Sequence, residues 1–524
     1  MITLLDYGAG NVRSVVNAIE RLGETVILVN KPEDIDRAER LVFPGVGNFG
    51  AMMQVLQEKH LTEPLLRYLH SQKPFFGICV ALQALFEGSD EAPDQPGLGY
   101  LPGHVKRFDT ELAVPHIGWN GIKIHQPSSL FAGFKGDEKL YFVHSYHVVS
   151  QDDSTTLTTT DYGYEFVSSI QQGNIIATQF HPEKSGKAGL KLLENFLAGD
   201  RQSIVPANCP STTALAKRII ACLDVRANDQ GDLVVTKGDQ YDVRDEGEVR
   251  NLGKPVQLAE EYYEQGADEV TFLNITGFRD FPLEDMPMLE VLERTSKNVF
   301  VPLTIGGGIR DFTDRNGKTY SALEVASAYF RSGADKISIG SDAVLIVEDV
   351  IKRGKATGMS SIEQIARVYG NQAVVISVDP RRVYVKSPDD VPHKVIATSI
   401  PGPEGEKYCW YQCTIKGGRE GRELDAVTLA AVSEQLGAGE ILLNCIDRDG
   451  TNSGFDLELI HAVRSAVSIP VIASSGAGCA EHFMEVFSQT QAEAALAAGI
   501  FHRKEVPISE VKAFLEGKIE IRPL

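Results

Sequence analysis

Cysteine is scarce and unpatterned in this chain: seven residues in 524, an odd number, at Cys79, Cys209, Cys222, Cys409, Cys413, Cys445 and Cys479. That spacing offers no paired framework, which excludes a disulfide scaffold and suits a reducing compartment. Cys409 and Cys413 have no histidine or further cysteine at finger-like spacing, so no metal site is expected. Positive charge is also short, with 51 Lys and Arg against 71 Asp and Glu and a formal net charge of −20. Such a surface argues against nucleic acid and anionic membranes as partners. Any phosphorylated ligand must then be held by local donors. No apolar run is long enough to span a bilayer, and no basic or Arg/Ser-rich leader precedes MITLLDYGAGN, so a cytoplasmic location is expected.

What is present is enough chain for more than one core, since a single hydrophobic core stops growing well short of 524 residues. Periodicity lapses over LAGDRQSIVPANCPST, residues 197–212, which places a linker at 201–213. Before it, in residues 1–200, short apolar runs alternate with helical patterns such as Arg13 to Leu22, the rhythm of an open α/β sheet. After it, in residues 214–524, the chain repeats itself. GADEVTFLNIT (266–276) then VPLTIGGG (301–308) is echoed by GAGEILLNCID (437–447) then IPVIASSGAG (469–478). Repeated strand–helix half-units predict a duplicated (β/α)8 barrel, with strand starts near Ile219, Glu269, Val301, Lys336, Val374, Glu440, Pro470 and Ala494. A polar insertion at about 381–424 predicts a hairpin-like excursion on the barrel rim.

Chemistry gathers at three places in the first unit. PFFGICVALQALF (74–86) sets Cys79 between an apolar strand and a helix-forming segment, where a thiolate faces the positive helix end. QFHPEKS (179–185) presents His181 and Glu183 one residue apart, so an extended backbone points both the same way. A Cys-His-Glu triad needs that arrangement. FPGVGNFG (43–50) is a Gly-rich turn able to aim N–H groups at an oxyanion. A buried structural cysteine is the commoner fate of the residue type, but the three signals together outweigh it.

On these motifs, residues 1 to about 200 resemble the class I glutamine amidotransferases, which release ammonia from glutamine. The resemblance implies Cys79 as nucleophile, His181 as base and Glu183 as its orienting partner. It also implies an oxyanion hole from Gly45, Val46, Gly47 and the amide of Val80, with Gln83, Ser145 and Tyr146 holding the glutamine. Ala81 departs from the glycine usual two positions after the nucleophile.

In the barrel, residues at the carboxyl ends of strands form the active site. Asp224 and Asp379 end the apolar runs IIACLDV and VVISVDP, on the first and fifth strands, across the barrel from one another. One acid and one base on opposite sides of a substrate fit that placement. Small-residue turns follow most of the other strands: TIGGGIR with Gly307 and Gly308, IGSDA with Gly340 and Ser341, DGT with Asp449, Gly450 and Thr451, SSGAG with Ser475 and Gly476, and AAGIF with Ala498 and Gly499. Cradles of this kind on both halves imply a substrate phosphorylated at each end.

This set resembles the cyclase of the imidazole glycerol phosphate synthases of histidine biosynthesis. The order, glutaminase then cyclase on one polypeptide, resembles the bifunctional form of fungi and plants. The resemblance implies glutamine and a bis-phosphorylated nucleotide, phosphoribulosylformimino-aminoimidazole carboxamide ribonucleotide, as substrates. Its products are imidazole glycerol phosphate and aminoimidazole carboxamide ribonucleotide, made without a cofactor. It casts Asp224 and Asp379 as the acid/base pair, Asp449 as a substrate-positioning group and Lys237 as a phosphate ligand. Asn274 stands where bacterial cyclases commonly have Asp, and is given no proton-transfer role. The two units partner each other within one chain, expected to be a monomer.

Four charges stand at the opposite, amino ends of strands: Arg218, Glu269, Lys336 and Glu440. Alone they read as a stabilising ion-pair network; the resemblance assigns them to an ammonia gate at the barrel floor. A glutamine-dependent pyridoxal phosphate synthase is the competing enzyme, but it needs a Schiff-base lysine at a strand end, and the rim motifs of this chain carry none. A binding protein that kept the fold and lost activity rests on Ala81 alone.

Overall fold

The computed structural model describes residues 1–8, 10–199, 212–228, 233–236, 244–245, 248–249, 252–275 and 282–524. Lys237 and most of the expected linker lie outside these residues.

The first unit is an open, mixed sheet. Its parallel part runs in the order Val26–Leu28, Ile2–Leu4, Leu41–Gly45, Phe75–Cys79 and Ile175–Thr178, then turns antiparallel through Glu165–Gln172 and Thr156–Asp161. The central strands Leu41–Gly45 and Phe75–Cys79 are buried throughout, as parallel strands covered on both faces must be. One face packs under the helix Arg13–Arg21 through Val15, Ala18 and Ile19; the other packs under Phe49–Glu58 and Thr62–His70. Gly45 pairs with Cys79, so the Gly-rich turn and the cysteine leave the sheet side by side.

The second unit is a closed parallel barrel of eight strands: Arg218–Ala227, Glu269–Asn274, Leu303–Gly306, Lys336–Ile339, Val374–Val378, Glu440–Asn444, Val471–Ser474 and Ala494–Ala497. The first pairs with the last, Ile219 opposite Ala495, which closes the ring. The expected strands match these within a few residues at each end. The insertion is more than a hairpin. Pro380–Val385, Val395–Ala397, Tyr408–Ile415 and Glu420–Asp425 form a four-stranded antiparallel sheet. Tyr408–Ile415, rich in aromatic and β-branched residues, is long enough to pair with all three of the others.

The first unit sits on the barrel floor. Trp119 donates its indole N–H to the Asp268 carbonyl (3.2 Å), Lys184 pairs with Asp335 (2.7 Å), Asn11 also donates to Asp335 (2.7 Å), and the Asn48 amide donates to the Val368 carbonyl (3.3 Å). Asp268 and Asp335 each stand immediately before a barrel strand, which is the amino-terminal end of the barrel.

Candidate active sites

Cys79 occupies the strand-to-helix turn between Phe75–Cys79 and the short helix Val80–Ala84, with φ 55° and ψ −109°. A side chain with left-handed φ is uncommon and marks a strained elbow that lifts the thiol from the sheet edge. The elbow closes tightly on its neighbour. A Cβ at Gly45 would lie 2.4 Å from the Ala81 amide nitrogen and 2.8 Å from the Ile78 carbonyl oxygen. The close approach is thus made possible at Gly45, and the Ala81 methyl is accommodated in the buried interior.

His181 and Glu183 meet as their spacing requires, Nδ1 to Oε1 at 2.8 Å, both buried. Burial disfavours the charged imidazole, but Glu183 and Cys79 outweigh it and hold His181 well above the ordinary histidine range. The Val46 N–H donates to the Tyr7 hydroxyl at 3.2 Å, and that hydroxyl in turn donates to the Val46 carbonyl. Gly47, with φ 121°, abuts the barrel unit, where a Cβ would lie 3.0 Å from the Val368 carbonyl. Ser145 gives its hydroxyl to Asn371 of the barrel unit (3.2 Å). The Gln83 amide nitrogen donates to the Tyr146 carbonyl and to Gln179 Oε1, each at 3.1 Å. Tyr7 and Gln179 are contributions that motif reasoning misses. Gln179 opens the QFHPEKS motif, which is its one signal in the sequence.

At the rim of the barrel, a cavity of about 320 Å³ brings together Asp224, Asp379, Asp449, Gly450, Ser475 and Gly476, with Ala498 and Gly499 beside them. Asp379 accepts from the Asn444 amide at 2.8 Å. Burial pushes its carboxyl up, the Asn444 donor works against that, and the nearby Asp449 adds to the rise. Gly307, Gly308, Gly340, Ser341 and Thr451 are not among the residues lining this cavity. Gly307 and Gly308 both take left-handed φ, 92° and 79°, and Ser341 accepts from the Lys416 amide of the insertion at 3.2 Å. The insertion also reaches the cavity itself through Gly417 and Gly418.

At the floor, Arg218 bonds Glu269 (2.7 Å) and Glu440 (2.5 Å), and Lys336 bonds the same two carboxylates (2.7 and 2.8 Å). The four close a ring with every member buried. Burial works against the charge on Arg218 and on Glu440, yet their partners prevail: Arg218 is held well above its usual range and Glu440 below its own. The Tyr141 hydroxyl of the first unit touches Glu269 at 3.5 Å.

Residues 3–199 match the class I glutamine amidotransferase family, and residues 218–507 match the histidine biosynthesis protein family. The imidazole glycerol phosphate synthase hisHF of Arabidopsis thaliana, described as chloroplastic, is 59% identical over 530 residues, covering 100% of this chain and 89% of that one. The hisHF protein of Schizosaccharomyces pombe is 55% identical over 98% of both chains. The chain belongs to the imidazole glycerol phosphate synthase hisHF family. The barrel alone is similar to a separate subunit, HisF of Methanosphaera stadtmanae, 42% identical over 58% of this chain and 97% of that one. Within the family this chain carries both the glutamine amidotransferase and the histidine biosynthesis domain on one polypeptide. Among the described residues, no helix is long and apolar enough to cross a membrane.

Proposed function

We propose that the two sites work as one enzyme of histidine biosynthesis, an imidazole glycerol phosphate synthase whose ammonia travels inside the molecule. Residues 1–200 are the glutaminase, 201–213 the linker and 214–524 the cyclase. Cys79 attacks the side-chain amide of glutamine, His181 takes the thiol proton and returns one to the leaving ammonia, water then hydrolyses the glutamyl thioester to glutamate and free Cys79, and Glu183 orients the imidazole. Val80 and the Gly45-Val46-Gly47 turn stabilise the oxyanion once the Val46 N–H is released from Tyr7. Asp224 and Asp379 then act as acid and base on the bis-phosphorylated nucleotide, with Asp449 positioning it and the small-residue turns binding its phosphates.

The observation that carries this reading is the stacking of the parts. The glutaminase covers the barrel floor, the charged ring stands at that floor, and the paired aspartates line a cavity at the opposite rim. Ammonia that escaped into water at neutral pH would be protonated and lost as a nucleophile, so a sheltered route gives the arrangement its purpose. The ring acts as the gate on that route, opening when the barrel is occupied. Among the described residues the cysteines are free, which fits a reducing compartment and a cytoplasmic enzyme. The test is the stoichiometry of glutamine consumed to imidazole glycerol phosphate made, with Cys79→Ala as control. The unaltered chain should hold the ratio near one, while Cys79→Ala should lose glutamine-driven but keep ammonia-driven synthesis. A ratio far above one in the unaltered chain would count against internal transfer.

A further inference from the structure

The sulfur of Cys79 has a neighbour that the triad does not use. Gln179 lies at the end of the strand beside the cysteine strand, is fully buried, and directs its side-chain nitrogen at Sγ from 3.4 Å. An amide has two ends, and only one of them can donate. Which end faces the sulfur is decided one residue further on. The Gln83 side-chain nitrogen meets two oxygens, the Tyr146 carbonyl and Gln179 Oε1, both at 3.1 Å. The Tyr146 carbonyl is an acceptor and cannot exchange that role, so the Gln83 group facing it is the NH2. That NH2 also requires the oxygen of Gln179, which turns the Gln179 NH2 toward Cys79. The Tyr146 carbonyl is held in turn by His144 Nδ1 at 2.7 Å. The orientation is therefore fixed by a buried chain of donors ending on a backbone atom.

We propose that Gln179 is a catalytic residue of the glutaminase site, donating to the Cys79 sulfur and stabilising negative charge that develops on it, with Gln83 as the residue that positions it. This rests on the reading of Cys79 as the nucleophile. The donor complements His181: the imidazole removes the proton, and the amide stabilises the charge left behind. A donor to an anion is worth more than one to a neutral atom, so the contact strengthens as the thiol ionises and weakens as the sulfur bonds to carbon.

The test uses the full chain and iodoacetamide near neutral pH without glutamine, following modification of Cys79 by peptide mass spectrometry. Loss of one hydrogen bond to the anion in Gln179→Leu should slow alkylation of Cys79 by about tenfold. Gln179→Glu, of the same shape, should slow it further because a carboxylate replaces the donor. Gln83→Met should slow it less, since the Gln179 amide is then free to turn its oxygen to the sulfur. Turnover of glutamine should fall in kcat rather than rise in KM for Gln179→Leu. Circular dichroism and the thermal unfolding midpoint of the full chain report on whether each variant is folded, and if Gln179→Leu is not, the Gln83→Met and Gln179→Glu rates decide. Cys79 alkylation as fast in the folded variants as in the unaltered chain would overturn the proposal. Slowed alkylation in the variants, with no glutamate released by the unaltered chain, would uphold it and overturn the glutaminase reading instead.

Discussion

Arg218 and Asp224 stand on the same face of one barrel strand, the first buried in the floor ring and the second lining the rim cavity. Six steps of about 3.3 Å each separate them, roughly 20 Å along the strand. Between them on that face lie Ile220 and Cys222, part of a small apolar cluster with Val375, Leu442, Ile472 and Leu496. A single strand therefore joins the buried ion-pair ring, an apolar interior and a carboxylate of the rim cavity in order.

Removing Lys336 should uncouple the two halves. In Lys336→Ala, Glu269 and Glu440 keep Arg218 but lose their second cation, and the ring opens on one side. Breaking a buried ion pair costs about 3–5 kcal/mol. We expect a lower unfolding temperature and more than one glutamine consumed per imidazole glycerol phosphate. A ratio that stays near one would make the ring a structural network only.

The triad should respond to its carboxylate. His181 is held well above the ordinary histidine range by Glu183 and Cys79 against the effect of burial. Its stabilising contribution is fully present below the ordinary histidine value and is lost as pH rises through the elevated one. Glu183→Gln removes the orienting anion and should lower glutamine turnover by about 100-fold or more, while ammonia-driven synthesis is retained. Steady-state assays with each nitrogen source separate the two.

The cyclase pH profile should move in opposite directions with two substitutions near Asp379. Asn444→Leu removes a donor to its carboxylate, so the limb belonging to Asp379 should shift to higher pH. Asp449→Asn removes a neighbouring negative charge, and the limb should shift to lower pH. A carboxyl raised in the folded state costs stability above its unfolded value, and that cost disappears below it. Ammonia-driven rates across pH provide the measurement.

Gly45→Ala should damage the elbow. Its new methyl would meet the Ala81 nitrogen at 2.4 Å and the Ile78 carbonyl at 2.8 Å, both backbone atoms unable to swing aside. Glutamine turnover should fall sharply with ammonia-driven synthesis preserved. Ala81→Gly should instead leave activity nearly unchanged and cost about 0.5–1 kcal/mol of stability.

The insertion sheet should prove to be a brace. Arg382, three residues after Asp379, gives its guanidinium to Asp456 at 2.8–2.9 Å and its amide to Asp447 at 2.7 Å, on either side of Asp449. Arg382→Met leaves Asp456 buried without its cation, at a cost of about 3–5 kcal/mol. Thermal unfolding and ammonia-driven turnover should both fall, and an unchanged midpoint would remove Arg382 from this role.

Local patterns carried much of this protein in readable form. Apolar runs four to eight residues long, repeated at matching intervals, marked the barrel strands because a strand buried on both faces must be apolar throughout. Against such runs Glu269, Lys336 and Glu440 stood out, since a charge entering a buried strand demands a partner. His181 and Glu183 were legible because their contact is set by a two-residue spacing. The remainder depended on residues brought together from far apart in the chain. Gln179 reaches Cys79 across 100 positions and Arg382 reaches Asp456 across 74, and no local rule specifies such meetings. Hydrogen bonds and ion pairs depend on distance and direction in space; sequence alone determined which groups were available to form them here, and the packing of two sheets and a closed barrel decided which ones met.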